Sequence, residues 1–273
     1  MSTLAGTPAK VHVGVGGWTF APWRNNFYPA GLPHSRELHH ASRQLGAIEI
    51  NATFYSSQKP ATFARWRDET PDDFMFSLKA PRYATHRRVL AEAGESIGRF
   101  VNSGFAELAH KLGPIVWQFA PTQRFDPPEF EAFMKLLPEE IAGLALRHVL
   151  DVRHASFKCA EYLAQARRHR VATVFTDSDD HPSFADITGD FVYTRMMRTE
   201  ATWPEGCMPL AFDQLAACAQ AWRAGREPAG LPRVEAAPQP TPPRDVFMFF
   251  IGGAKERAPA AAMALHQRLA RPA

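Results

Sequence analysis

The stretch GAIEINATFYS, residues 46–56, decides how this chain is read. Side chains along a strand alternate between two faces, so Ile48 and Ile50 share one face while Glu49 and Asn51 share the other. A carboxylate and a carboxamide opposite an apolar face mean that their side is wet, or that it is a site. The run then breaks into an aromatic-rich loop containing Phe54 and Tyr55.

Working outward, short apolar runs recur along the chain: VHVGVG from 11, AIEIN from 47, FMFSLK from 74, PIVWQF from 114, RHVLDVR from 147, VATVFTD from 171, DFVYTRM from 190 and DVFMFFI from 245. Helical patterns are expected between them over 34–45, 60–68, 95–111, 129–137, 157–169, 211–223 and 257–269. Strand and helix in alternation, eight times over, predict an α/β fold of the TIM type, a closed parallel (β/α)8 barrel. After TVFTDSDDHPSFADITGD the crossover is expected to be short, leaving one outer helix missing or irregular. A single domain over 1–273 is expected, because only one strand and one helix follow the proline-rich segment 226–244, too little for a second core. That segment is expected to be an exposed loop.

The 273 residues carry 31 basic and 28 acidic side chains, a net charge of +3, with 45% hydrophobic content. That balance excludes a largely disordered chain and does not by itself demand nucleic acid. Cys159, Cys207 and Cys218 form no close pair, which disfavours a disulfide framework or a structural zinc site. No run reaches the roughly 20 apolar residues that span a bilayer, and MSTLAGTPAKVHVGVGG lacks the pattern of a secretion signal. A cytoplasmic protein without a membrane partner is the expectation.

In a parallel barrel, functional groups gather at the C-terminal strand ends. Trp18 follows strand one, Glu49 and Asn51 close strand two, Lys79 strand three and Gln118 strand four. Asp151, Arg153 and His154 close strand five, and Asp177 and Arg195 follow on six and seven. Glu49 is an acid, base or metal ligand in this reading, or else part of a hydrogen-bonded interior layer. Lys79 would neutralise an anion or form a Schiff base, with a salt bridge to Glu49 or Asp151 the preferred resting state. Asp151 and His154 suit proton transfer and Arg153 grips an anion, although a closed Asp151–Arg153 pair beneath a loop histidine explains the same letters.

His86 lies in a basic loop with Arg82, Arg87 and Arg88, and Trp18, Trp23, Tyr28 and Tyr55 suit either ligand stacking or rim anchoring. The glycines of GVGGWTF complete no dinucleotide or phosphate-loop fingerprint. Glu49, Asp151, His154 and Asp177 form a loose candidate set for a divalent ion, but no close motif makes it specific, so no metal site is assigned and no cofactor is named.

GVGGWTFAPWRNNFYPAGLP, IEINATFYSSQKPATFARW, FMFSLKAPRYATH, KLGPIVWQFAP, DVRHASF and DFVYTRM, in that order, resemble DUF72, the YecE-like family of unknown function. The resemblance implies a TIM barrel and no established reaction. Matching positions are Gly17, Trp18, Trp23, Tyr28 and Pro29, then Glu49, Asn51, Phe54 and Tyr55, then Lys79, His86, Gln118, Pro121, Arg153 and His154. Asp151 stands where the family usually has glutamate. Arg195 is kept, but TRMMRTEATW replaces the Leu-His-Gly-like continuation, and FFIGGAKERAPAAAM replaces a Phe-Asn-Asn segment. These departures imply a changed substrate, a narrowed site or a lost activity.

The resulting expectation is an enzyme acting on a small anionic or sugar-containing substrate, as hydrolase, lyase or isomerase. Glu49, Lys79, Asp151 and His154 are its catalytic candidates. Trp18, Asn51, Tyr55, His86, Gln118, Arg153 and Arg195 are its substrate-binding candidates. A nucleic-acid- or protein-binding barrel without turnover is the alternative, with a basic rim through Arg24, Arg82, Arg87 and Arg88 as its mark. A metal-dependent nuclease similar to the endonuclease IV-like barrels is the third reading, and enzyme status stays open at the level of sequence.

Overall fold

The computed structural model describes residues 8–236 and 239–271. Eight parallel strands close into a barrel: β1 Val11–Gly16, β2 Ala47–Ile50, β3 Met75–Lys79, β4 Leu112–Gln118, β5 His148–Asp151, β6 Ala172–Thr176, β7 Val192–Met196 and β8 Val246–Phe250. Each pairs with the next in chain order, and β8 closes on β1 with Val11 opposite Val246. All eight apolar runs therefore become barrel strands. The hairpin of Glu140–Ile141 and Leu144–Ala145, ahead of β5, was not anticipated.

Period-two alternation explains why these runs suit a wall buried on both sides. Ile48, Ile50, Phe76, Leu78, Ile115, Trp117 and Leu150 point outward into the layer beneath the helices. Ala47, Val116, Val149, Ala172, Val174, Tyr193, Phe247 and Phe249 point inward and, with Phe191, fill the barrel. Glu49, Lys79, Gln118, Asp151 and Arg195 share the inward parity, nearer the C-terminal ends. The polar face of GAIEIN is thus the barrel interior. Gly14 is required where β1 and β2 approach, since a Cβ there would lie 1.9 Å from the Ala47 carbonyl oxygen.

The helices are α1 Glu37–Ala41, α2 Ala52–Tyr55, α3 Pro60–Glu69, α4 Arg82–Thr85, α5 Gly94–Val101, α6 Pro127–Lys135, α7 Ala160–Arg168, α8 Pro209–Arg223 and α9 Ala258–Leu269. The α2 and α4 turns sit directly after β2 and β3, at the mouth. Asp126 starts α6 by accepting from the Glu129 N–H at 3.1 Å, with Pro127 at the first helical position; such a cap contributes about 1 kcal/mol. The single helix expected over 95–111 is instead α5 followed by 3-10 turns over Phe105–Lys111. Gly104, at φ 97°, causes the break, and a Cβ there would also strike Pro60.

Residues 177–191 cross from β6 to β7 without a helix, as the sequence led one to expect. The proline-rich connection is pinned against this crossover rather than hanging free of it. Asp186, buried, accepts the Val234 N–H at 2.8 Å and the Glu235 N–H at 3.0 Å, and Ala185 N–H donates to the Pro232 carbonyl at 2.8 Å. Arg233 and Arg244 both reach Glu227, at 2.9 and 3.4 Å. Much of the loop surface is exposed, but Leu231 and Val234 pack on the core where a helix is missing. The expected bounds 1–273 and 226–244 include residues 1–7, 237–238 and 272–273, which lie outside the described residues.

Asp186→Ala removes the acceptor of two backbone N–H groups, so a loss of about 2 kcal/mol is expected in urea unfolding. Faster thermolysin cleavage within 226–244 is expected alongside it. Unchanged stability and cleavage would show that the loop is held by something else.

Candidate functional site

A cavity of about 580 Å³ opens at the C-terminal mouth. It gathers Gly17, Trp18 and Thr19 after β1, Asn51 and Tyr55 after β2, and Lys79 and Gln118 at the ends of β3 and β4. Arg153 after β5, Arg195 in β7, and Met197, Ile251 and Lys255 complete it. The cleft around Arg147, Asp190 and Asp245 lies at the opposite end, where the Arg147–Asp245 pair at 2.8 Å closes its charges.

Below the mouth, Arg195 joins two carboxylates from different strands. Its Nη2 donates to Glu49 Oε1 at 3.0 Å and its Nη1 to Asp151 Oδ2 at 2.6 Å. Arg153 donates to the same Asp151 oxygen from Nη2 at 2.9 Å and from Nε at 3.2 Å. Gln118 Oε1 accepts from both arginines, at 2.8 Å from Arg153 and 3.2 Å from Arg195. Tyr193 donates to Glu49 Oε2 at 2.7 Å and meets Ser77 Oγ at 2.8 Å. Burial would raise the Asp151 pKa, but Arg195 and Arg153 outweigh it and hold the carboxyl below its usual range. Burial likewise lifts the Tyr193 hydroxyl well above its usual range, and neighbouring Glu49 adds to this, so Tyr193 stays protonated and donates.

This arrangement corrects two expectations. Glu49 is 0% exposed with both oxygens engaged, and it does not line the cavity; Asp151 is buried under two guanidiniums. Neither carboxylate is placed to exchange protons with a ligand. Lys79, expected to be salt-bridged to one of them, has no ion pair or hydrogen-bond acceptor among the described residues. Arg195 holds both carboxylates through a planar fork, which a single ammonium cannot match.

Lys79 is 7% exposed, lines the cavity, and lies with Nζ 4.1 Å from the centre of the Phe54 ring. Burial lowers its pKa from 10.5 to about 8, and Arg195 contributes to the shift, while Glu49 and Asp151 compensate only partly. The Phe54 ring face offers the cation a weaker substitute for a carboxylate.

Two histidines fall elsewhere than expected. His154 Nδ1 accepts the Ser156 backbone N–H at 3.1 Å and lies 2.8 Å from Ser156 Oγ, capping the Ala155–Phe157 turn, and His154 is absent from the cavity lining. His86 is exposed at the end of α4, edge-on to Phe54 at 5.7 Å, and also outside the lining. Burial, then Arg82 and Lys79, lower its pKa. Trp18 and Tyr55 do line the cavity; Trp18 is braced edge-on by Trp66 at 5.0 Å, and Tyr55 is 71% exposed. Asp177 is occupied by the Met197 N–H. Among the described residues no three His, Cys, Asp or Glu side chains converge on a metal position.

Lys255 and Tyr193 are site residues that the sequence reading missed. Lys255 lies in the GGAKER turn after β8, with Nζ 4.6 Å from the centre of the Phe20 ring and its pKa lowered by burial. The Trp23 indole N–H holds this turn by donating to the Lys255 carbonyl at 2.8 Å. Tyr193 was legible in principle, since it precedes Arg195 by two residues in the same strand.

Comparison with known proteins agrees with this architecture. The chain is 28% identical over 150 residues, 54% of its length, to UPF0759 protein YecE of Escherichia coli K12. It is 26% identical over 116 residues, 41% of its length, to UPF0759 protein YunF of Bacillus subtilis. It spans about half the length of the first relative (50%) and 40% of the second. Among solved structures, a DUF72 family protein of Thermotoga maritima superimposes with TM-score 0.71 at 20% identity, covering 96% of this chain and 100% of that one. One from Enterococcus faecalis gives 0.68 at 13% identity, with 96% of each chain covered. With the model of that family, described as a protein of unknown function, matching residues 12–273, the chain belongs to DUF72.

Proposed function

We propose that the protein is an enzyme acting on a small anionic or sugar-containing substrate bound at the barrel mouth. The observation that carries this reading is the charge balance of the cavity. Lys79, Arg153, Arg195 and Lys255 line it, whereas Glu49 and Asp151 lie beneath and are already engaged by the arginines. An entering anion meets cations that lack a full complement of partners, in a partly buried site where such attraction is weakly screened. Trp18 and Tyr55 supply the aromatic wall that suits the apolar face of a sugar ring.

In this reading Glu49, Asp151 and Gln118 are positioning residues that fix the two guanidiniums. Arg153, Arg195 and Lys255 hold the anion, Asn51 orients its polar groups, and Lys79 is the group nearest to chemistry. His154 and His86 act outside the reacting centre. A nucleic-acid surface is less well supported, because Arg24 is tied to Glu37 at 3.2 Å and Arg87 to Ser96 at 3.2 Å, breaking the expected basic rim.

Titration calorimetry with inorganic phosphate and a panel of phosphorylated and carboxylated sugars tests the reading. Binding is expected to weaken with salt, and Lys255→Met is expected to reduce affinity about tenfold, the equivalent of ~1.4 kcal/mol. Absence of binding at millimolar concentrations, or binding indifferent to Lys255→Met, would contradict it.

Lys79 also makes a prediction about stability. Unfolding restores its pKa toward 10.5 from about 8, so between these values the unfolded chain holds a proton that the folded chain has released. The charged lysine therefore destabilises the fold below about pH 8, and this cost fades as pH rises through the window. Lys79→Met is expected to gain roughly 2–3 kcal/mol at pH 7 in denaturant unfolding, with the gain vanishing toward pH 10.5. A destabilised Lys79→Met protein would mean that Lys79 serves as a structural cation.

A further inference from the structure

We propose that Lys79 is an imine-forming residue and that the substrate is a small carbonyl compound, an aldehyde or ketone, carrying a carboxylate or phosphate. This rests on the anion-binding reading of the mouth and names the substrate class for it. Three observations converge. The Lys79 amine ends a barrel strand, borders the cavity, and has no acceptor or carboxylate among the described residues, so its lone pair is not committed elsewhere once a proton leaves. Lys79 is only 7% exposed, and the Phe54 ring face at 4.1 Å offsets only part of the desolvation that disfavours the ammonium form. Arg153, Arg195 and Lys255 line the same cavity, so a substrate anchored by its anionic end presents its other end within the space Lys79 borders.

The step balances without an external reagent. Neutral Nζ attacks the carbonyl carbon, the C–N bond forms, and the carbonyl π electrons pass to oxygen. A proton moves from nitrogen to that oxygen to give the carbinolamine. Loss of water then breaks the C–O bond and leaves a C=N bond, which on protonation becomes an electron sink for the adjacent carbon. Lyase and isomerase chemistry both begin from such a species. The neighbouring arginines hold no proton that they can surrender at neutral pH, and of the two lysines on the cavity Lys79 is the more deeply buried, so it supplies the nucleophile while the more exposed Lys255 keeps the anion in place.

A pKa of about 8 leaves roughly a tenth of Lys79 neutral at pH 7, about 300-fold more than an ordinary lysine. The test is reductive trapping with cyanoborohydride of the native protein, using glyoxylate and glycolaldehyde phosphate, with neutral glycolaldehyde as comparison, and mapping of the adduct by peptide mass spectrometry. The expected result is an adduct at Lys79 at least tenfold above any surface lysine. It should form faster with the two anionic aldehydes, be suppressed by inorganic phosphate, and rise with pH to a plateau above about pH 8. Lys79→Arg keeps the charge and should abolish this adduct while retaining phosphate binding. Trapping spread over surface lysines, with phosphate still bound in a Lys255-dependent way, would overturn the imine and leave the anion site standing. Absence of both would overturn both.

Discussion

The guanidinium of Arg195 lies between two buried carboxylates, Glu49 from β2 and Asp151 from β5, and the mouth of the barrel is arranged around that bridge. Removing one partner from such a network typically costs about 3–5 kcal/mol, because the remaining charges stay buried without compensation. Tyr193, Gln118 and Arg153 extend the bridge, so the ends of β2, β4, β5 and β7 are fastened together by one hydrogen-bonded cluster. The apolar layer beneath, filled by Phe247, Phe249 and their neighbours, keeps water away from the lower side of the bridge.

The bridge also determines what is left for chemistry. The carboxylates that would have paired with Lys79 are held by arginines whose planar geometry suits them better. The lysine is left against Phe54 with a depressed pKa. The paired acids, conspicuous as catalysts in the sequence, thus become supports, and in the proposed function the lysine takes the reactive position. Arg153 and Lys255 also line the cavity, which gives the mouth its excess of positive charge.

Much of this was legible in the letters. Alternation in GAIEIN, FMFSLK and VLDVR placed Glu49, Lys79 and Asp151 on the inward face, and the repeated strand-helix pattern gave the barrel with its missing outer helix. Pairing was not legible, because Lys79 and Arg195 were both in range of the same carboxylates and only their positions in space decide between them. His154 suited proton transfer because it starts the loop just after Asp151, yet local geometry spends its Nδ1 on capping a turn. Lys255 was hidden because GGAKER lies beyond the strand end and becomes part of the mouth only when Trp23, over 200 residues earlier, grips its carbonyl. The anchor of the proline-rich loop was not legible, because Asp186 belongs to a different crossover.

The most direct test of this account is the ionisation of Lys79 itself, followed by NMR on protein carrying isotope-labelled lysine, with Lys79→Arg assigning the resonance. A midpoint near pH 8 is expected in the free protein, shifted upward when phosphate binds, because an anion in the cavity stabilises the ammonium form. A midpoint at or above 10.5 would place Lys79 in an ion pair, return the carboxylates to the centre of the chemistry, and contradict the account.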